Sequence, residues 1–234
     1  MCRVSLTEFG FLLIDESIKN AIRSRTSNIS LWSESNVPKL GMEPIRREAL
    51  VKATIAEIGQ VGSLDVTVAQ IARRAGMSSA LAHHYFGGKD QIFLAAMRHT
   101  LSLYGAEVRG ALAMAQGPRA RAEAIVRAGF TRSNFRREVV AAWLNFYVLA
   151  QSDDQARRLL GVYQRRLHSN LVYNLRPLVG ARAAEVALRI AGLIDGLYLR
   201  EALRTDAPSG DEATRQVLTA LSHEITQADR EPLA

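Results

Sequence analysis

Residues 67–89, TVAQIARRAGMSSALAHHYFGGK, constrain the fold of this chain more than any other stretch. They read as two short helices hinged on Gly76. Thr67 follows the strand-like Leu64-Asp65-Val66 and carries a hydroxyl suited to capping a helix N-terminus, while Val68, Ile71 and Ala72 recur at helical spacing. Arg73 and Arg74 fall where cations suit a helix C-terminus, and Gly76 stands where a left-handed residue stops the helix. Ser78 or Ser79 can cap a second helix that runs through Leu81, His84, Tyr85 and Phe86 and ends at Gly87-Gly88. A hinged pair of this kind is a helix-turn-helix, whose second helix enters the DNA major groove with its N-terminal residues against base edges. The expected base readers are Ser78, Ser79, Ala80, Leu81, His83 and His84.

Residues around the motif supply a third helix and a long exit. Residues 44–61 form an amphipathic pattern with Ile45, Leu50, Ala53 and Ile58 on one face, ended by Gly62. After Gly88, Asp90 is placed to cap a long helix through Ile92, Leu94, Met97 and Leu101. Lys89 stands at that helix start, where an ammonium can reach a phosphate beside backbone N–H groups, so Thr67, Tyr85 and Lys89 form the expected phosphate-contacting set.

Apolar periodicity and a turn glycine alone would suit any helical hairpin. What raises the DNA reading is the conjunction of a capping threonine, Ala72-Arg73-Arg74-Ala75-Gly76, small polar residues opening the second helix, and Tyr85-Phe86-Gly87-Gly88-Lys89 closing it. With those residues, the segment 42–97 closely resembles the N-terminal domain of TetR-type bacterial transcriptional regulators. Within that family, Lys39-Leu40-Gly41-Met42-Glu43-Pro44 and His84-Tyr85-Phe86-Gly87-Gly88-Lys89-Asp90 resemble the subgroup of choline-responsive repressors of glycine-betaine synthesis. The run Ser79-Ala80-Leu81-Ala82-His83 departs from that subgroup's wording and leaves the operator open.

The resemblance implies an all-α chain: a three-helix DNA-binding domain over 37–91 and a helical effector-binding and dimerisation domain over 92–229, followed by a tail at 230–234. Residues 1–36 show no sustained helical period and no signal-peptide pattern. They are expected to be an unstructured extension, either a gene-start artefact with Val37 as initiator or an arm adding DNA contacts.

Punctuation at Gly117-Pro118, Ser152-Asp153-Asp154, Pro177 to Gly180 and 207–211 divides the remainder into about five helices. The last two, over 181–203 and 211–229, carry broad apolar faces: Val186, Ile190, Leu193, Ile194 and Leu197 on one, Val217, Leu218, Leu221 and Ile225 on the other. Such faces suit ordinary core, whereas the resemblance implies a homodimer built on that pair as a two-fold four-helix interface.

Aromatic residues make up only 6% of the chain, and many gather in this half. Trp143, Phe146 and Tyr147 share one helix, Tyr163 and Tyr173 the next, and Asp195 and Tyr198 the penultimate one. A quaternary ammonium cannot donate a hydrogen bond, so aromatic faces and a carboxylate would recognise it. These seven residues are the expected effector site, with core packing as the plainer reading of any one aromatic.

A net charge of +7 suits a polyanionic partner, and a lone cysteine, Cys2, excludes an intramolecular disulfide and fits a reducing cytoplasm. No apolar run reaches the roughly 20 residues that span a bilayer. Adjacent His83 and His84 diverge by about 100° on a helix, and no HExxH, phosphate-binding loop or nucleophile elbow accompanies them, so neither enzyme activity, metal nor cofactor is expected. An architectural DNA binder would need a more continuous basic surface than Glu48, Glu57, Asp65 and Asp90 leave. The expectation is a repressor of choline-to-glycine-betaine genes, partnered by double-stranded operator DNA and released by choline or a related quaternary ammonium. The alternative is a TetR-type repressor of another operon answering a different small molecule.

Overall fold

Pro44, with its fixed φ, sits in the first turn of α1 (Met42–Val61), where a missing N–H costs nothing. The computed structural model describes residues 41–204 and 209–230, and the regular structure among them is helical. The expected extension, Val37, residues 205–208 and the tail beyond Arg230 lie outside the described residues. Helix α1 buries Leu50, Ala53 and Ile58 and ends at Gly62, whose φ of +79° is open to glycine; Ile45 remains 59% exposed because the core begins a turn later.

The helix-turn-helix follows from local bonding. In α2 (Val68–Arg74) the Gln70 N–H donates to Thr67 Oγ1 at 3.2 Å and the Thr67 N–H donates to Gln70 Oε1 at 2.7 Å, a full capping box. At its other end Gly76 N donates to Arg73 O at 3.1 Å and Met77 N to Ala72 O at 2.9 Å, with Gly76 at φ +69°, a Schellman closure. Arg74 is pinned by Glu57 of α1 at 2.5 Å. Helix α3 (Ser79–Phe86) is capped by Ser78, whose hydroxyl accepts from Leu81 N at 3.2 Å, and stops at Gly87 with φ +77°. Leu50, Ile58, Val66, Ile71, Ala82, Tyr85 and Ile92 close one core over these helices.

Helix α4 (Lys89–Met114) leaves this core. Its N-cap is Gly88, so Asp90 acts from inside the first turn through the helix dipole and not as the expected cap. Helices α5 (Gly117–Gly129), α6 (Arg137–Ser152), α7 (Asp154–Val179), α8 (Ala183–Ala202) and α9 (Gly210–Arg230) complete the chain. Asp153 caps α7 by accepting from Ala156 N at 2.7 Å. Within the expected punctuation at Pro177 to Gly180, the proline itself is accommodated and α7 continues to Val179: the bond it removes is the one to the Tyr173 carbonyl, on the exposed side of the last turn. Gly180, at φ +57°, ends it instead.

A break absent from the sequence reading separates α5 from α6. Residues 130–136 form a turn whose Phe130 and Phe135 are buried, and the buried Asn134 amide donates to the Ala128 carbonyl at 3.0 Å, sealing the end of α5. Most of the apolar faces expected to meet a second subunit line the interior of this one. Val186, Ile190 and Ile194 of α8 and Val217, Leu221 and Ile225 of α9 are all at most 5% exposed and share one core with α5, α6 and α7. Leu193 stays outside, at 40% exposure, with Leu197 and Leu218 at the margin.

Helix α6 ties the two halves together. Gly59 of α1 lies so close to Glu138 that a Cβ there would overlap the Glu138 Cα and Cβ, Ala141 packs on the helix-turn-helix core, and Asn145 Nδ2 donates to the Gly62 carbonyl at 3.1 Å.

Candidate nucleic-acid interface and aromatic cage

The capping bonds decide which expected readers have free polar groups. Ser78, Ala80, His83 and His84 are exposed and Ser79 is half-buried. The Ser78 hydroxyl already accepts the cap bond, leaving its proton as the group to offer. His83 Nδ1 lies 3.0 Å from the Gly87 carbonyl oxygen, so only its other ring nitrogen is unengaged. Leu81 does not stand free: it is half-buried and packs on the domain core.

The three expected phosphate contacts differ in what already engages them. Tyr85 is buried at the ring, and its hydroxyl accepts from Arg46 at 3.4 Å. Lys89 opens α4 with its ammonium 5.4 Å from the Phe93 ring centre. The Thr67 hydroxyl is engaged by Gln70 on both its donor and acceptor sides. Two cations that sequence reasoning passed over stand beside Tyr85: Arg46, and Arg47, whose guanidinium lies 5.0 Å from the centre of Phe86 and 5.6 Å from that of Tyr85. Their signal was their place on the polar side of α1 one turn before Leu50.

In the other half, α4, α6, α7 and α8 bring Tyr104, Trp143, Tyr147, Tyr163, Asp195 and Tyr198 around one small cavity of about 20 Å³. That is room for about one water molecule. Trp143 lies edge-on to Tyr163 at 5.1 Å and tilted to Tyr147 at 5.8 Å, and Tyr104 meets Tyr163 at 5.7 Å. Phe146 is 1% exposed and does not line the cavity; it packs edge-on under Trp143 as core. Tyr173 does not join the cage at all: it is 76% exposed on the outer side of α7 and lines a shallow depression beside His168 and Arg176.

Asp195 defines the chemistry of the cage. Its Oδ1 accepts from the Tyr163 hydroxyl at 2.8 Å, and no cation, Arg200 included, pairs with it among the described residues. Burial pushes its carboxyl above the ordinary value, with the Tyr163 bond pulling the other way. Burial likewise raises the Tyr104, Tyr147, Tyr163 and Tyr198 hydroxyls, so all four remain neutral donors. Tyr198 donates to the Asn134 carbonyl at 2.9 Å, whereas the buried Tyr104 hydroxyl has no hydrogen-bond partner among the described residues. Tyr104 was missed in the sequence because α4 sets it apart from every other cage residue.

Residues 50–96 match the family of bacterial regulatory proteins of the tetR type, and residues 118–226 match the C-terminal domain of BetI-type transcriptional repressors. The HTH-type transcriptional regulator BetI of Brucella anthropi is 53% identical over 76% of this chain and 92% of its own length. The chain belongs to the TetR family, as a repressor of the BetI type. The corresponding regulator of Agrobacterium fabrum is 51% identical over 74% of this chain and 84% of its own. Among solved structures, a transcriptional regulator from Pseudomonas aeruginosa PAO1 superposes with a TM-score of 0.70 at 24% identity, over 80% of this chain and 94% of its own. A regulator from Saccharomonospora viridis in complex with choline has a TM-score of 0.70 at 22% identity, over 77% of this chain and 97% of its own; both show the shared fold. These regulators are not enzymes, nor is this repressor. No described helix is long and apolar enough to cross a membrane.

Proposed function

We propose that this repressor holds the genes for conversion of choline to glycine betaine silent by binding a palindromic operator as a homodimer, and releases it when choline or a related quaternary ammonium enters the cage. The observation that carries this reading is a half-buried carboxylate, Asp195, ringed by aromatic faces and with no cation paired to it among the described residues. A quaternary ammonium supplies the missing charge and presents methyl groups to Trp143, Tyr147 and Tyr163. That a regulator of the same fold is found with choline is in keeping with it.

The closed cavity is far smaller than such a ligand, so entry requires Tyr104, Tyr147 or Tyr163 to turn. Trp143 and Tyr147 stand on α6, whose other side carries Glu138, Ala141 and Asn145 against α1. Effector binding therefore favours one arrangement of α6 and α4 under the DNA-binding half, and a population shift separates the paired recognition helices from their half-sites. On the DNA side Ser79, Ala80, His83 and His84 read bases, while Lys89, Tyr85, Thr67, Arg46 and Arg47 position the backbone. The dimer uses the outward stripe of α8, where Leu188, Leu193 and Leu199 are 40–67% exposed and nothing stands over Gly192 or Gly196.

The test is a mobility-shift titration on the DNA upstream of the repressor's own gene, at fixed salt, with and without choline. A specific shift weakened by choline supports the proposal. A specific shift indifferent to choline assigns the repressor to another operon and another small molecule, and absence of a specific shift removes the operator assignment.

A further inference from the structure

The tyrosine wall of the cage has a second side. Beyond Tyr104 and Tyr163, α4 and α7 diverge over α5 to leave a cavity of about 560 Å³, within the range of sites for drug-sized molecules. Its inner lining is aliphatic, with Val108 and Ile125 buried and Leu101 and Val162 half-buried. Arg98, Arg109 and Arg166 stand on its rim, all exposed, and none has an ion-pair partner among the described residues. No carboxylate lines it. Arg119, Arg157, Arg189 and Arg215, by contrast, each face an acidic residue of their own helix.

We infer that this groove is a separate binding site for an amphipathic anion, an alkyl carboxylate or phosphate whose tail lies on Val108, Ile125 and Val162 and whose head meets the arginine rim. Charge complementarity sets the sign of the ligand: a cationic effector is repelled by three uncompensated guanidiniums, whereas an anion gains bidentate, charge-assisted bonds from them. The aliphatic floor sets its shape, since a small hydrophilic anion would leave that surface unused. Arg98 and Arg109 are eleven residues apart on α4, about 16 Å along the axis, so the rim runs the length of an extended alkyl chain. The site stands independently of the quaternary-ammonium assignment, because it shares only the wall residues Tyr104 and Tyr163 with the cage.

Isothermal titration calorimetry of the full-length repressor with decanoate, kept below its micellar concentration, tests the site. Saturable binding at one site per chain is expected, weakened roughly tenfold or more in the R98A/R109A/R166A variant. Decanol, with the same chain and no charge, should bind at least about tenfold more weakly to the unmodified protein. Asp195→Asn should leave decanoate affinity unchanged. The inference is overturned by absence of saturable decanoate binding, by decanol matching decanoate, or by a triple variant that binds as the unmodified protein does. Loss of decanoate binding in Asp195→Asn would equally overturn it, by placing the ligand in the cage.

Discussion

The helix-turn-helix and the aromatic cage treat their polar groups in opposite ways. Around α2 and α3 the polar side chains have partners: Thr67 with Gln70, Ser78 with Leu81 and His83 with Gly87 locally, and Arg74 with Glu57 of α1. In the cage a carboxylate has one tyrosine hydroxyl for company, and the Tyr104 hydroxyl has no partner among the described residues. Satisfied polar groups make a rigid shape that can be presented to DNA unchanged, whereas buried unmet ones cost free energy that a ligand of the right charge recovers.

The contrast is broken most directly at Asp195. Asp195→Asn should weaken choline binding by about 100-fold, because the cation loses its desolvated counter-charge, while operator affinity without choline stays within about twofold. Calorimetry and mobility shift read the two halves separately, and a variant that lost both would mean the carboxylate is structural.

Acidity sharpens the same point. Asp195 has its carboxyl raised by burial above 3.8, so in the effector-free protein its ionised form is destabilising, and stability falls as pH rises through that raised value. Choline binds the ionised form, so its affinity should decline on acidification, beginning at a less acid pH than an ordinary aspartate would give. A choline affinity flat from pH 7 down to the ordinary carboxylate range would detach Asp195 from the ligand.

Gly59→Ala comes next. A methyl group driven into Glu138 should cost about 1–3 kcal/mol, seen as a lower Tm, and should also alter how far choline shifts operator binding. Thr67→Ala removes the capping box for about 1 kcal/mol, roughly a 3 °C fall in Tm, with no change in choline affinity. Lys89→Ala should have the smallest effect, weakening binding to every DNA sequence alike and lowering the salt slope by about 1. Substitutions at Ser79 or His83 should instead change preference among operators. Identical behaviour of the two classes would erase the division between positioners and readers.

These differences also explain what the sequence could disclose. The helix-turn-helix was legible because its determinants are local: a capping threonine three residues from its glutamine, and glycines at the left-handed positions 76 and 87. The cage was legible only in part, because its residues come from four helices up to 94 positions apart, from Tyr104 to Tyr198. Tyr163 and Tyr173 looked like a pair, yet ten residues of helix place them about 15 Å apart along α7 and on different sides of it. The apolar faces of α8 and α9 stayed open between core and interface for a similar reason. Periodicity shows that a face is buried but not by what, and here α8 and α9 spend those faces on each other and on α5 to α7.

The contact of Gly59 with Glu138 bears on how stiffly the halves are joined. Two helices separated by long side chains can absorb a small movement in rotamer changes. Here, at Gly59, α1 meets Glu138 of α6 through a residue without a side chain, backbone against Cβ, so nothing compliant stands between them at that point. Rotamer changes at that point have no side chain of α1 to act on, so a movement of α6 there has to be met by the backbone of α1.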